Sequence, residues 1–297
     1  MKFVDPKNDV AFKRIFGDDQ HKAVLISFLN AVLNLSGAKE ITTIEILNPY
    51  QTPHLALLKH TLLDVRATDK RGISFIVEMQ NDRVPGLRKR FQYYAAKSYT
   101  QQIERGQDYP KLNQVIFIGI LDFIEFSSQN YLCRHILLNV ETGIQELQDL
   151  EFNFLELPKF TKSEYELESI LDKWIYFLKY AADLTVIPPH VDSAPLREAY
   201  EVANQFGWSK EDLEVYDYWS MKEQDERGAV ELALATGMQQ GIQQGIQQGI
   251  QQGMQEGDKI ARLETAHAML KDGMPLETIF KYTGLTAADL SDNIVVE

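Results

Sequence analysis

The stretch LLDVRATDKRGISFIVEMQ, residues 62–80, decides the fold because it predicts a β-hairpin with two chemically different faces. Two runs of strand character, residues 61–68 and 73–80, flank the turn-forming sequence DKRG. Side chains alternate between the two faces of a strand. The odd-numbered positions form an apolar face for the core: Leu63, Val65, Ala67, Ile73, Phe75, Val77 and Met79. The even-numbered positions form a face for chemistry: Leu62, Asp64, Arg66, Ser74, Ile76, Glu78 and Gln80.

The register of this hairpin sets two acids against each other. A turn centred near Arg71 places Asp64 opposite Glu78. The same register places Leu62 opposite Gln80, and a slip by one residue would mix the two faces. Opposed Cβ atoms lie about 5 Å apart, so the carboxylates repel each other unless a cation joins them. Such ligands suit Mg²⁺, with Mn²⁺ as the alternative, and this ion can engage a phosphate and activate water. The other interpretation is a solvent-facing hairpin with two unpaired acids.

The segments around the hairpin predict an α/β domain in which helices flank a mixed sheet. Asn8 or Asp9 is expected to cap the first helix. The apolar run VIFIGIL predicts a central strand buried on both faces. The predicted elements are helices over residues 7–35, a strand over 41–49 ended by Pro49, a helix over 87–105, strands over 115–121 and 133–140, and a helix over 161–183.

The charge distribution bounds the kind of partner. The chain has 297 residues and a net charge of −13, which argues against coating of nucleic acid by bulk electrostatics. A local basic cluster nevertheless follows the hairpin, formed by Arg83, Arg88, Lys89 and Arg90. These side chains either hold nucleic-acid phosphates or form a solvated helix face.

Several function classes find no support in the sequence. There is no apolar run of about 18 residues and no apolar signal core, so we expect a cytosolic protein without a membrane span. The single cysteine, Cys133, excludes an intrachain disulfide. The histidines have no zinc-binding spacing, and GxSxG and GxxxxGK[ST] do not occur. The hairpin acids therefore remain the main candidates for chemistry.

Several segments of the chain resemble a known family. The spacing of Asp64 from the tripeptide EMQ at 78–80 resembles the PD-(D/E)xK nuclease signature. The segments DPKNDVAFKRIFG, ILNPY, FIVEMQ and FLELPKF are similar, in consistent order over about residues 5–160, to the recombination-promoting nuclease (Rpn) and putative transposase family. The resemblance implies a restriction-endonuclease-like fold, Mg²⁺-dependent DNA cleavage, and links to recombination, transposition and phage defence.

The resemblance also implies roles for individual residues. Asp64 and Glu78 would bind the metal ion. Gln80 stands where the signature usually has a catalytic lysine, and its amide can orient water but brings no charge. Asp9 is an additional candidate acid, with a helix cap as its alternative role. The expected catalytic set is therefore Asp64, Glu78 and Gln80, and the expected DNA-binding set is Arg83, Arg88, Lys89 and Arg90.

The C-terminal part of the chain has a different character. A proline-rich segment predicts a boundary between a nuclease domain, residues 1–185, and an all-helical region, residues 186–297. That region contains GMQQGIQQGIQQGIQQGMQEG, residues 237–257, with glycine at every fourth position. In a helix, the glycines of this repeat cost roughly 5 kcal/mol in total relative to alanine. The line of glycines also drifts by about 40° per repeat around the helix, because a period of four exceeds 3.6 residues per turn. We predict a helix within a homo-oligomer, with a flexible linker as the alternative.

The tail GMPLETIFKYTGLTAADL has helix-turn-helix-like spacing. It has few basic residues, which favours a protein-binding helical cap over base readout. Three hypotheses of function follow from the whole sequence, and one of them is a scaffold built on the repeat at residues 237–257. The first is a Mg²⁺-dependent DNA endonuclease that assembles through its C-terminal helices. The alternative is a catalytically weak DNA- or protein-binding regulatory module with the same fold and the same assembly.

Overall fold

A computed structural model describes residues 1–48, 50–51, 61–104 and 106–291 of the chain. The chain divides into two compact units, Met1–Lys222 and Glu223–Glu297. Pro49, the predicted end of the first strand, and Arg105, the predicted last residue of a helix, lie outside the described residues.

The first unit is built on a mixed six-stranded sheet. Its elements in chain order are α1 (Asp9–Phe16), α2 (Lys22–Leu33), β1 (Ile44–Ile46), β2 (Tyr50–Gln51), β3 (Thr61–Leu62), β4 (Val65–Asp69), β5 (Ser74–Gln80), α3 (Leu87–Thr100), β6 (Val115–Leu121), β7 (Leu132–Ile136), β8 (Leu150–Glu156), α4 (Ile170–Tyr180), α5 (Ala194–Ala203) and the start of α6 (Lys210–Lys271). The strand order is β1-β4-β5-β6-β8-β7, and β2 pairs with β3 separately. The β5–β6 and β6–β8 pairs are parallel and the others are antiparallel. The predicted α/β class is confirmed.

The centre of the sheet contains one strand that was predicted and one that was missed. β6 has the predicted bounds and is buried along its whole length. β8 pairs in parallel with β6 and antiparallel with β7. The apolar pattern of the sequence does not predict β8, because Glu151 and Glu156 interrupt it. Both acids are buried and form ion pairs, Glu151 with Arg134 and Glu156 with Lys159.

Helices cover both faces of the sheet. On one face, α1, α2, α4 and α5 pack over the odd-numbered side chains of the hairpin, which include Phe75 and Val77. On the other face, α3 packs over Ile76 through Leu87 and Phe91. The helix that follows the hairpin thus covers part of its even-numbered face.

The hairpin departs from the prediction at its first residues. Leu63 was expected on the odd-numbered core face, but it is buried with the residues beneath α3. The chain bends at Asp64, between β3 and β4, and the bend interrupts the alternation of side chains. Leu62 pairs with Tyr50 in the small second sheet rather than with Gln80.

The first unit continues past the boundary expected from the sequence. α5 packs against α1 and α2 within the main core. The start of α6 is attached by an ion pair between Arg14 and Asp212, at 2.6 Å. Residues 186–222 are therefore part of the same compact unit as the sheet.

The second unit is entirely helical in the part that the structure describes. It contains the rest of α6, with the repeat at 237–257, followed by α7 (Leu276–Thr283) and α8 (Ala287–Ser291). A small core joins the end of α6 to the two short helices through Ala266, Ile279, Leu285 and Leu290. The structure favours the helix over the linker for the repeat. Among the described residues, no helix is long and apolar enough to span a bilayer.

Candidate active site

The β4–β5 hairpin brings the two predicted acids together. Its register is the predicted one, with Val65 opposite Val77. Beyond that pair, the Asp64 N–H donates to Glu78 Oε1 at 3.1 Å, and the Met79 N–H donates to Asp64 Oδ2 at 2.8 Å. Each carboxylate therefore holds a backbone group of the opposite chain segment, and the two acids are fixed side by side.

Asp64 and Glu78 are buried, whereas the alternative interpretation placed them on a solvent-facing hairpin. β5 lies between β4 and β6, and α3 covers the adjacent even-numbered position, Ile76. Glu78 is only 3% exposed, and the Asp64 side chain is 15% exposed. Asp64 lies at the bend before β4, where it is more accessible than Glu78. The site therefore opens on the side of Asp64.

Helix α1 adds a third acid and a lysine. Asn8 caps the helix, because its side chain accepts two backbone N–H groups of the first turn. Asp9 is free of that role and is hydrogen-bonded to Asp64. Lys13 lies one helical turn later, with Nζ 2.6 Å from Asp9 Oδ1 and 3.7 Å from Asp64 Oδ1.

Gln80 is held at both ends of its amide. Its Oε1 accepts a hydrogen bond from Nη2 of Arg90, and its Nε2 donates to the Met79 carbonyl at 2.8 Å. The Arg90 guanidinium also lies 5.9 Å from the ring centroid of Tyr94. The structure thus places Arg90 beside Gln80, inside the site.

The other three basic residues lie near the start of α3. Arg83 Nε is 2.8 Å from Glu125 Oε2, and Arg88 Nε is 2.5 Å from Glu125 Oε1. Arg88 Nη2 also donates to the Glu125 carbonyl at 2.7 Å. Lys89 is exposed. One buried carboxylate therefore joins two of the four residues predicted to contact DNA.

Burial perturbs both hairpin acids. Burial and the neighbouring Asp9 raise the pKa of Asp64 to about 7, although the Met79 N–H and Lys13 oppose the shift. Burial, and then the charge of Asp64, raise the pKa of Glu78 well above its ordinary value. The two charges are therefore costly to keep together at neutral pH, as expected for opposed acids in a poorly hydrated place.

Comparison with known families agrees with this geometry. The family model described as "PD-(D/E)XK nuclease family transposase" matches residues 6–233. This chain belongs to that family. A second model, for the C-terminal HTH domain of the Rpn/YhgA-like nuclease family, matches residues 259–293. This match agrees with the helix-turn-helix-like spacing of the tail, and the protein-binding cap expected there stays a prediction. No curated protein and no solved structure matches the chain.

PD-(D/E)XK nucleases typically use divalent metal ions, and the residues of this site fit such an ion. Asp64 and Glu78 provide hard carboxylate oxygens. Burial, with a smaller contribution from neighbouring acids, raises the pKa of both groups, and a cation would stabilise their charged forms. Within the described ranges, no group of three or more His, Cys, Asp and Glu side chains is arranged to hold a metal ion. An ion held by Asp64 and Glu78 would retain water ligands, as Mg²⁺ commonly does.

Lys13 and Glu125 belong to the surroundings of the site but were not predicted from the sequence. Lys13 had a weak signal, since it lies four residues after Asp9 and therefore on the same helix face. Glu125 had none, because its position depends on the loop after β6. That loop is held by buried Glu156, which accepts the Glu125 N–H at 2.6 Å and pairs with Lys159.

Proposed function

We propose that this chain is a divalent-metal-dependent endonuclease that hydrolyses phosphodiester bonds in DNA. The observation that supports the proposal most directly is the buried pair of Asp64 and Glu78, joined by hydrogen bonds to the opposing backbone in a PD-(D/E)XK family chain. These carboxylates would hold Mg²⁺, or Mn²⁺ in its place. When bound, the ion supplies Lewis-acid stabilisation of the phosphate and lowers the pKa of a water ligand.

The remaining residues of the site orient the reactants. Gln80 is fixed by Arg90 and Met79, and a fixed amide can orient the attacking water. Asp9 is the additional acid, because its hydrogen bond to Asp64 sets the position of that carboxylate. The DNA backbone would contact the basic groups near the start of α3: Arg83, Arg88, Lys89 and Arg90.

A plasmid assay tests the proposal. Supercoiled plasmid is incubated with the parent chain in Mg²⁺, in Mn²⁺ and in EDTA, and with Asp64→Ala and Glu78→Ala in the same buffers. We expect nicked or linear products only from the parent in the presence of metal. Circular dichroism confirms that the variants fold. Equal cutting by the parent and by both folded variants would contradict the assignment of the site.

A second candidate function is a DNA- or protein-binding regulatory module with negligible cleavage. Two observations favour it: the third motif position is an uncharged glutamine, and the tail matches a helix-turn-helix domain. Metal titration distinguishes the two functions. If the parent takes up no Mg²⁺ or Mn²⁺ at millimolar concentration but still binds DNA, the regulatory module is the better description.

The proposed assembly is a homo-oligomer formed through the repeat of α6. The apolar side chains of the repeat recur every four residues and are all exposed: Met238, Ile242, Ile246, Ile250 and Met254. A row of this length on a glycine-rich helix is costly in water, and a second copy of the same row would cover it. Light scattering on the full chain and on a chain lacking residues 237–257 tests the proposal. Equal protomer numbers in the two chains would contradict it.

The proposed cellular role is DNA rearrangement or defence against phage DNA, in the cytosolic location expected from the sequence. The family to which the chain belongs is described as a nuclease family transposase, which supports a link to transposition. Recombination frequency in cells that express the parent, compared with Asp64→Ala, tests this role. Equal frequencies at equal protein levels would remove its support.

A further inference from the structure

The third position of the β5 motif brings no positive charge to this site. Gln80 is neutral, and both ends of its amide already have hydrogen-bond partners in Arg90 and Met79. Hydrolysis of a phosphodiester adds a water oxygen to phosphorus, breaks one P–O ester bond and passes the water proton to solvent, while the leaving oxygen is protonated. Negative charge develops on the phosphoryl oxygens on the way, and a fixed cation stabilises it strongly in a poorly hydrated site.

Helix α1 places such a cation beside the acids. Lys13 Nζ lies 2.6 Å from Asp9 Oδ1 and 3.7 Å from Asp64 Oδ1. The helix is anchored by its Asn8 cap and by Phe12 and Phe16 in the core, so the base of the Lys13 side chain is well fixed. An ammonium group has three N–H donors, and Asp9 accepts from one of them.

The same lysine borders a small cleft that opens next to Asp64. The cleft has a volume of about 130 Å³, and its lining includes Lys13, Asp64 and Arg66. A cleft of this size suits a group of a few heavy atoms, such as a phosphoryl group. Arg66 is one of the lining residues, and its Nε is buried without a hydrogen-bond partner among the described residues. A buried donor of this kind is costly unless a ligand or water satisfies it.

We propose that Lys13 supplies, from helix α1, the positive charge that Gln80 lacks, and that the cleft between Lys13 and Arg66 receives the phosphoryl group under attack. The inference rests on the proposed nuclease function and identifies its charge-bearing residue. A lysine that is paired with a carboxylate keeps its positive charge, and Lys13 is paired with Asp9 at 2.6 Å.

The experiment compares Lys13→Met with a matched control, Lys22→Met. Lys22 begins α2, has a similar side-chain exposure of 39% against 31%, and pairs with an aspartate three residues before it. Single-turnover cleavage of plasmid DNA is measured in Mn²⁺, and Mn²⁺ binding is measured by calorimetry without DNA. We expect Lys13→Met to cut about a hundredfold more slowly or worse, and Lys22→Met to cut like the parent.

The calorimetry separates a charge role from a structural role. Removal of a cation next to Asp64 should leave Mn²⁺ affinity unchanged or raise it, because Lys13 and the ion are repelled by each other. A structural defect would lower both the metal affinity and the rate. Lys13→Arg retains a charge and should keep more activity than Lys13→Met. The double variant Lys13→Met/Gln80→Lys, which returns an ammonium from β5, should recover at least tenfold of the lost rate.

The outcomes are distinguishable. If the parent does not cut in Mg²⁺ or Mn²⁺, the proposed function fails. If the parent cuts and Lys13→Met cuts within threefold of it, the inference about Lys13 is wrong. If Lys13→Met loses both Mn²⁺ binding and cleavage, and neither Lys13→Arg nor the double variant recovers the rate, Lys13 is a structural residue and the inference is overturned.

Discussion

The β4–β5 hairpin and the repeat of α6 depart from the ordinary burial of side chains in opposite directions. The hairpin buries two carboxylates beside each other, whereas the repeat leaves five apolar side chains more than half exposed. Both arrangements cost free energy in an isolated chain. The chemistry of each departure indicates the missing partner. A bound cation would stabilise the two buried carboxylates, and a second apolar surface would cover the exposed apolar row.

The largest expected effect is that of replacing Asp64, one of the two buried acids of the hairpin. We expect Asp64→Asn to lower cleavage by at least about a hundredfold, because an amide is a poor ligand for a hard cation. In EDTA at pH 8 the same variant should be more stable than the parent, since it removes a buried charge. The gain should be a few kcal/mol at most, from about 1.4 kcal/mol per unit of pKa shift. Chemical denaturation measures it.

A matched control for this variant is Asp69, the last residue of β4. Asp69 is also buried, but its carboxylate accepts hydrogen bonds from Arg71 and from the Ile73 N–H. Asp69→Asn should therefore destabilise the chain, while Asp64→Asn stabilises it. If both variants lose stability in EDTA, Asp64 is a well-compensated structural acid and the contrast between hairpin and repeat is lost.

The second prediction concerns the pH dependence of stability without metal. The folded-state pKa of Asp64, about 7, lies above its ordinary value of 3.8, so the folded chain keeps a proton that the unfolded chain releases. The contribution of Asp64 to stability is therefore full below about pH 4 and is lost as pH rises to about 7. Glu78 acts in the same direction. The free energy of unfolding in EDTA should fall over this range.

Denaturant midpoints at pH 5.5 and pH 8 measure this slope in the parent and in Asp64→Asn. The difference between the two pH values should be smaller in the variant. Added Mg²⁺ should restore the stability of the parent at pH 8, because the ion replaces the proton between the acids. Equal slopes in parent and variant would assign the pH dependence to other groups.

The sequence was sufficient for the register of β4 and β5, because most polar side chains of this segment fall on the even-numbered face. That alternation predicted the register and the meeting of Asp64 with Glu78, and the uninterrupted apolar run predicted β6. β8 was missed for the opposite reason: its buried acids are compensated by cations from elsewhere in the chain, Arg134 and Lys159. Local patterns cannot reveal a compensation between distant residues.

The same limit applies to the candidate site. The pairing of Lys13 with Asp9 is local to α1, so helical spacing alone could have indicated it. The approach of Lys13 to Asp64 depends on how α1 packs against the sheet. Glu125 reaches Arg83 and Arg88 through a loop whose path is set by Glu156. Contacts of these two kinds require the three-dimensional structure.

The third prediction concerns the glycines of the repeat in α6. A methyl group added at each glycine of the repeat would meet no atom within 4 Å in the described part of the chain. In a lone helix, the triple variant Gly241→Ala/Gly245→Ala/Gly249→Ala should therefore gain roughly 0.5–1 kcal/mol per site. In an oligomer that needs close approach of backbones, it should instead weaken association. Light scattering across protein concentrations measures the association.

Gly228→Ala is the matched control, because Gly228 lies in α6 outside the repeat and is equally open. It should leave association unchanged. If the triple variant associates as tightly as the parent, the glycines do not lie in an interface. The exposed row would then need a partner other than a closely packed second copy.

The smallest expected effect concerns Glu125, a buried acid whose charge is already compensated by two arginines. Glu125 pairs with Arg83 and Arg88. Glu151 is the matched control, because its side chain is also 5% exposed and pairs with the exposed Arg134 on β7. Because the Glu125 carboxylate competes with phosphate, Glu125→Gln should bind DNA about threefold to tenfold more tightly in EDTA at low salt. Two freed arginines should also steepen the dependence of log K on log salt by up to about 1.8. Glu151→Gln should change neither quantity. Equal behaviour of the two variants would show that Arg83 and Arg88 lie outside the DNA path, and that Glu125 only fixes the loop after β6.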